Sequence, residues 1–83
     1  MTYALDFTPV ARKQFSKLEK GTQQRIVTAL ERIQIRPYPH VVRLVGNLHH
    51  RLRVGDYRVI LDIQDVKLLI LVIEVGHRKR IYD

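Results

Sequence analysis

Arg51, Arg53 and Arg58 flank Gly55-Asp56 in the segment Arg51-Leu52-Arg53-Val54-Gly55-Asp56-Tyr57-Arg58. A Gly-Asp pair between two alternating apolar runs marks a two-residue hairpin turn, which fixes the cross-strand register. The expected partners are Val54 with Tyr57, Arg53 with Arg58, Leu52 with Val59, Arg51 with Ile60, His50 with Leu61 and His49 with Asp62. Alternation then divides the hairpin into two faces. Val54, Tyr57, Leu52, Val59 and Leu61 form an apolar face, with His50 as its one polar member. His49, Arg51, Arg53, Arg58, Ile60 and Asp62 form the other. Like charges side by side on a sheet cost some tenths of a kcal/mol up to about 1. An anion bridging them turns that cost into affinity, and the planar, permanently charged guanidinium suits phosphate. The alternative is a solvated face with Asp62 as internal counter-ion.

The run His77-Arg78-Lys79-Arg80-Ile81-Tyr82-Asp83 adds three consecutive bases and a histidine. Alone, such a run is a solvated tail. Beside the hairpin arginines, His77, Lys79 and Arg80 supply a second wall for a phosphate-binding groove, and Tyr82 is able to stack on a base of single-stranded RNA. Other chemistries find little support. His40, His49, His50 and His77 lack metal-ligand spacing, and His49 and His50 point to opposite faces of a strand. No Gly-rich phosphate loop is present, and Ser16 is the only serine available to a nucleophilic triad. No carboxylate pair stands out for acid–base work. Neither a metal nor another cofactor is expected.

The elements that must position these residues follow from periodicity. Residues 3–7 alternate as a short strand, with Tyr3, Leu5 and Phe7 on one side. Thr8-Pro9 reads as a helix start, a hydroxyl cap followed by Pro at the first helical position. Ala11, Phe15 and Leu18 make the apolar stripe of that helix, and Gly21 is expected to stop it. Thr22 then caps a second helix reaching about Arg36, with Ile26, Leu30 and Ile33 as its stripe, and Pro37 and Pro39 end it. A connector with a turn at Gly46-Asn47 leads to three strands over about 48–54, 57–64 and 67–76. The order βααβββ predicts an α+β fold: a small antiparallel sheet with a helical hairpin packed on one face.

Composition bounds the partners. The chain has 83 residues, one domain by length, and 46% hydrophobic residues suffice for a core. A domain this small is marginal alone, so a partner adds to its working stability. Cysteine is absent, which excludes a disulfide framework and fits a reducing cytoplasm. Residues 1–6 lack the basic and apolar regions of a signal peptide, and the apolar run 68–73 is too short to span a bilayer. The net charge of +7 favours polyanions. Residues 1–42 contribute seven bases against three acids and residues 43–83 eight against five, so specificity depends on which face carries the charge.

Four segments together resemble the RelE branch of the RelE/ParE toxin superfamily. They are Phe7-Thr8-Pro9-Val10-Ala11 before a basic helix, Leu44-Val45-Gly46, Arg51 to Ile60, and Val75-Gly76-His77-Arg78 with Tyr82 after it. The resemblance covers nearly the whole chain and implies one RelE-like domain over residues 1–83. It also implies the toxin of a type II toxin–antitoxin system, acting in a prokaryotic cytoplasm. RelE-type toxins are ribosome-dependent, metal-independent endoribonucleases that cut mRNA in the ribosomal A site by attack of the ribose 2′-OH on the adjacent phosphate.

By position, the resemblance gives Arg58 and Arg78 phosphate-binding and transition-state roles. Arg51 and His49 fall where relatives carry lysines credited with general-base and electrostatic roles, Tyr82 where a tyrosine orients the scissile nucleotide, and Arg53 at a basic position. Arginine at 51 is a poor base because it barely deprotonates, so the base expected here is His49. The expected partners are an acidic, partly disordered antitoxin, the ribosome and mRNA. The alternatives are a ParE-like toxin that inhibits DNA gyrase without nuclease activity, and an inactive homologue that only binds antitoxin.

Overall fold

The computed structural model describes residues 2–78. The opening alternation forms strand β1, Ala4–Phe7. Thr8 ends it and caps helix α1, Pro9–Ser16, its hydroxyl accepting the Ala11 N–H at 3.1 Å. Helix α2 spans Lys20–Ile35, and a 3-10 turn at Tyr38–His40 follows. Four further strands follow among the described residues: β2 Val42–Arg43, β3 His50–Val54, β4 Tyr57–Gln64 and β5 Leu69–His77. They form one sheet in the order β1-β5-β4-β3-β2.

The architecture is α+β, two helices on one face of the sheet, with two features the periodicity did not disclose. The pairing of β1 with β5 is parallel, Ala4 to Leu69 through Phe7 to Val72, so the sheet is mixed rather than wholly antiparallel. Parallel neighbours need a long crossover, and here the whole chain between β1 and β5 supplies it. The second is β2, a two-residue edge strand that pairs Val42 with Arg51 and Arg43 with His50. It lies within the stretch expected to be a connector and is too short for alternation to register.

The helix boundary also differs from expectation. Gly21 does not stop α1, and Thr22 does not cap α2. α1 closes at Ser16 with Lys17 and Leu18 N–H groups donating to the Gln14 and Phe15 carbonyls at 3.3 and 3.1 Å. Gln23 reaches back to donate its side-chain amide to the Phe15 carbonyl at 2.9 Å. A side chain thus satisfies the end of α1, and no left-handed glycine is required. Gly21 falls in the first turn of α2, which Glu19 precedes as the flanking residue.

Ala11 of α1 and Ile26, Leu30 and Ile33 of α2 are fully buried against Leu52, Val54, Val59, Leu61, Ile70, Val72 and Val75 of the sheet. Phe7 and Phe15 meet edge to face with centroids 5.5 Å apart, joining β1 to α1. On β5 the alternation breaks. Val59 pairs with Val75 and Ile60 with Glu74, but Leu61 pairs with Val72, leaving Ile73 as the extra residue of a β-bulge. Its backbone is held by the adjacent helical segment. The Thr8 hydroxyl donates to the Ile73 carbonyl at 3.1 Å, and the Val75 N–H donates to Gln14 Oε1 at 2.7 Å. Uninterrupted alternation after Val72 would direct Glu74 into the core. The bulge sends Val75 there instead and turns Glu74 to the opposite face.

At the other end of the sheet, Tyr38 Oη donates to both oxygens of Asp65 at 2.8 and 2.7 Å, and Tyr3 Oη donates to Oδ1 at 2.7 Å. These bonds pin the 3-10 turn to the β4–β5 loop. Burial first, and then the Asp65 hydrogen bond, push the Tyr38 hydroxyl up to about 12. The two tyrosines hold Asp65 below its ordinary value.

Two outcomes follow from these contacts. The folded state binds the Tyr38 proton more tightly than the unfolded state does. Its contribution to stability is therefore complete below pH 10.0 and is lost as pH rises through about 12. Urea midpoints measured across that interval should fall in the wild type and fall less in Tyr38→Phe. Gly55 has φ +58°, and a Cβ there would collide with the Arg25 guanidinium. Gly55→Ala should cost about 1 kcal/mol or more in urea unfolding, chiefly from the left-handed backbone.

Candidate nucleic-acid interface

The face of the sheet away from the helices carries the arginines. Within the β3–β4 hairpin, Val54 pairs with Tyr57, Arg53 with Arg58, Leu52 with Val59, Arg51 with Ile60 and His50 with Leu61, the partners expected from the Gly55-Asp56 turn. Strand β5 extends the rows. Gly76 lies beside Arg58, so one row reads Arg53, Arg58, Gly76 and the next Arg51, Ile60, Glu74. Gly76 brings no side chain to its row.

Arg78 stands next to the first row, against the hairpin turn. Its N–H donates to the Asp56 carbonyl at 2.8 Å, and its Nε lies 3.9 Å from Asp56 Oδ1, which holds it against the hairpin turn. Arg53 Nε donates to the Gly55 carbonyl at 3.3 Å, drawing that side chain toward the same turn. Partial desolvation first, then the charges of Arg51, Arg53 and Arg78, pull Arg58 below the ordinary arginine value. Arg58 is thus the point on which the charges of Arg51, Arg53 and Arg78 converge.

The face is not uniformly wet. Ile60 is buried because Leu44, from the loop between β2 and β3, folds over it. The sequence left Ile60 among solvated neighbours, since a loop residue covering it has no periodic signature. Asp62 accepts a hydrogen bond from the Gln64 side chain at 2.8 Å and sits one row beyond Ile60.

The other expected residues are placed as follows. His49 precedes β3, its N–H bound to Asn47 Oδ1 at 2.7 Å and its carbonyl accepting the Leu44 N–H at 3.0 Å. His77 does not join the arginines. It pairs with Tyr57 and meets that ring edge to face at 5.5 Å, on the side that carries the helices. The bulge is the reason, since it restores Val75, and with it His77, to the core side. His50 lies on the helix side against Tyr38, and burial followed by the Arg43 charge favours its neutral form. Lys79, Arg80 and Tyr82 lie outside the described residues. Glu74, which sequence reasoning did not single out, stands on the arginine face. Its signal was faint, a lone acid in the apolar run 68–75 where both parities are hydrophobic. Among the described residues, no cluster of three His, Asp or Glu side chains is arranged to hold a metal, and no helix is long and apolar enough to cross a membrane.

Two helices against a five-stranded sheet, with arginines on the opposite face, place the chain among toxins of the RelE/ParE superfamily. A family model described as the ParE toxin of type II toxin–antitoxin systems, parDE, matches residues 5–82, and the chain belongs to that family. A RelE-like toxin protein of Escherichia coli is 30% identical over 83 residues, covering 96% of this chain and 87% of its own length. The isolated E. coli RelE toxin superposes with a TM-score of 0.82 at 26% identity, covering 90% of this chain and 83% of that one. RelE in the archaeal RelE–RelB complex of Pyrococcus horikoshii superposes with a TM-score of 0.79 at 25% identity, covering 98% and 100%.

A cluster of this kind has a salt signature. Single-stranded polyanions bind with log K falling against log salt by about 0.7 per neutralised phosphate. Titrating a short single-stranded RNA at several salt concentrations should give a slope of roughly −2 to −3 for four arginines. Arg58→Ala should lower the slope's magnitude by about 0.7 and weaken binding similarly for every RNA sequence.

Proposed function

We propose that this toxin is a ribosome-dependent endoribonuclease that cuts mRNA in the A site and so inhibits translation. The observation that carries the reading is the gathering of Arg53 and Arg58 in one row, Arg51 in the next and Arg78 against the hairpin turn. Scission by the ribose 2′-OH needs positive charge on the pentacoordinate phosphate as it forms. In this reading Arg58 and Arg78 hold the scissile phosphate, Arg51 and Arg53 stabilise the charge that develops, and Tyr82 stacks on the adjoining nucleotide. The reaction uses no metal in this scheme. The ribosome supplies the alignment of the mRNA that a shallow sheet face does not provide alone. An antitoxin of acidic, partly disordered character is the expected partner, in keeping with the solved RelE–RelB complexes. The site of action is the prokaryotic cytoplasm.

The family model's ParE description supports a second reading, a toxin that inhibits gyrase. The arginine row favours the nuclease, because binding to gyrase does not require guanidiniums focused on one point. Toe-printing of an mRNA in a cell-free translation reaction separates the two. Cuts within codons at the A site are expected from the wild type, with Arg58→Ala slower by about 100-fold or more. Absence of cuts together with gyrase-dependent DNA breaks would establish the second reading.

A further inference from the structure

We infer that Glu74 is the general base of this site, an assignment that rests on the nuclease reading above. Glu74 belongs to β5, yet the bulge at Ile73 turns it from the core onto the arginine face, beside Ile60. Facing positions on adjacent strands lie about 4.5–5.5 Å apart and diagonal ones about 7–8 Å. Glu74 is diagonal to Arg58 and shares its row with Ile60 and Arg51. Its side chain is half-buried, and its carboxylate makes no hydrogen bond or ion pair with another described residue. The other acids near the face are engaged: Asp62 by Gln64, and Asp56 by Arg78.

A carboxylate beside a phosphate site repels the ligand unless it does something for the reaction. Here the rows give it a task. A phosphate bridging Arg53, Arg58 and Arg78 sits over the first row and the hairpin turn beside it. Its ribose then falls over the second row, between Arg51 and Glu74. Glu74 accepts the proton of the 2′-OH as that bond breaks. The 2′-oxygen bonds to phosphorus, and the bond from phosphorus to the 5′-oxygen breaks. The departing 5′-oxygen takes a proton from solvent water, leaving a 2′,3′-cyclic phosphate and a 5′-hydroxyl. Glu74 takes this part in place of His49, which stands ahead of β3, a further row from Arg58.

Single-turnover cleavage on programmed ribosomes, followed against pH, tests the assignment. A positioned base contributes about 10²–10⁴-fold. Glu74→Gln should cut at least about 100-fold more slowly, with half-saturation by ribosomes unchanged and the acid limb of the wild-type pH profile gone. Glu74→Asp should recover part of the rate together with that limb. Glu74→Ala should be rescued by added formate, which a merely structural role would not permit. Wild-type rate and pH profile in Glu74→Gln would overturn the assignment while leaving the nuclease reading intact. So would loss of the acid limb in His49→Gln with its retention in Glu74→Gln. A wild type that makes no cuts would instead remove the nuclease reading, and the base with it.

Discussion

The bulge in β5 decides how this fold presents its chemistry. One extra residue, Ile73, reverses the parity of the strand midway along its length. Upstream, Ile70 and Val72 fill the core. Downstream, Val75 does so, and Glu74 and Gly76 join the opposite face. A bulge leaves strand backbone groups without ladder partners, and such groups are costly if nothing else satisfies them. Thr8 and Gln14 provide the bonds from either end of α1. Thr8 also caps the helix with the same hydroxyl. One threonine therefore ends β1, starts α1 and anchors the irregularity that arranges the far side of the sheet.

The arginine face shows the opposite balance. Arg58 opposes Arg53 across the hairpin, with Arg51 diagonal and Arg78 held at the turn. The like charges of these groups repel one another across the hairpin. Desolvation and mutual repulsion both disfavour the Arg58 cation. The face tolerates this because the opposite side of the same strands is a closed core, with Leu52, Val59 and Leu61 buried under α2. A closed core on one face supports the concentration of like charge on the other.

Ile60 and Leu44 give the same face a small apolar centre. The two side chains, both buried, form a small apolar platform within the cationic surface. It depends on the β2–β3 loop folding back, which the short pairing of Val42 and Arg43 with β3 makes possible. Glu74 borders this platform on the side away from Arg51.

The arginine hairpin was legible in the sequence because a two-residue Gly-Asp turn leaves one register open, and register plus alternation assigns every side chain to a face. The helix stripes of Ala11 and of Ile26, Leu30 and Ile33 were legible for the same local reason, a period of 3.6 in hydrophobicity. Local rules failed where a distant residue settled the matter. Gln23, not Gly21, completes the end of α1, and β1 finds its partner in β5, more than sixty residues away. The run 68–75 is apolar at both parities, so its facing had no signal until α1 held the bulge. Sequence therefore determined which residues share the hairpin. Tertiary packing decided that Arg78 joins them, that His77 does not, and that Glu74 stands beside them, because each depends on a hydrogen bond or strand pairing made across the fold.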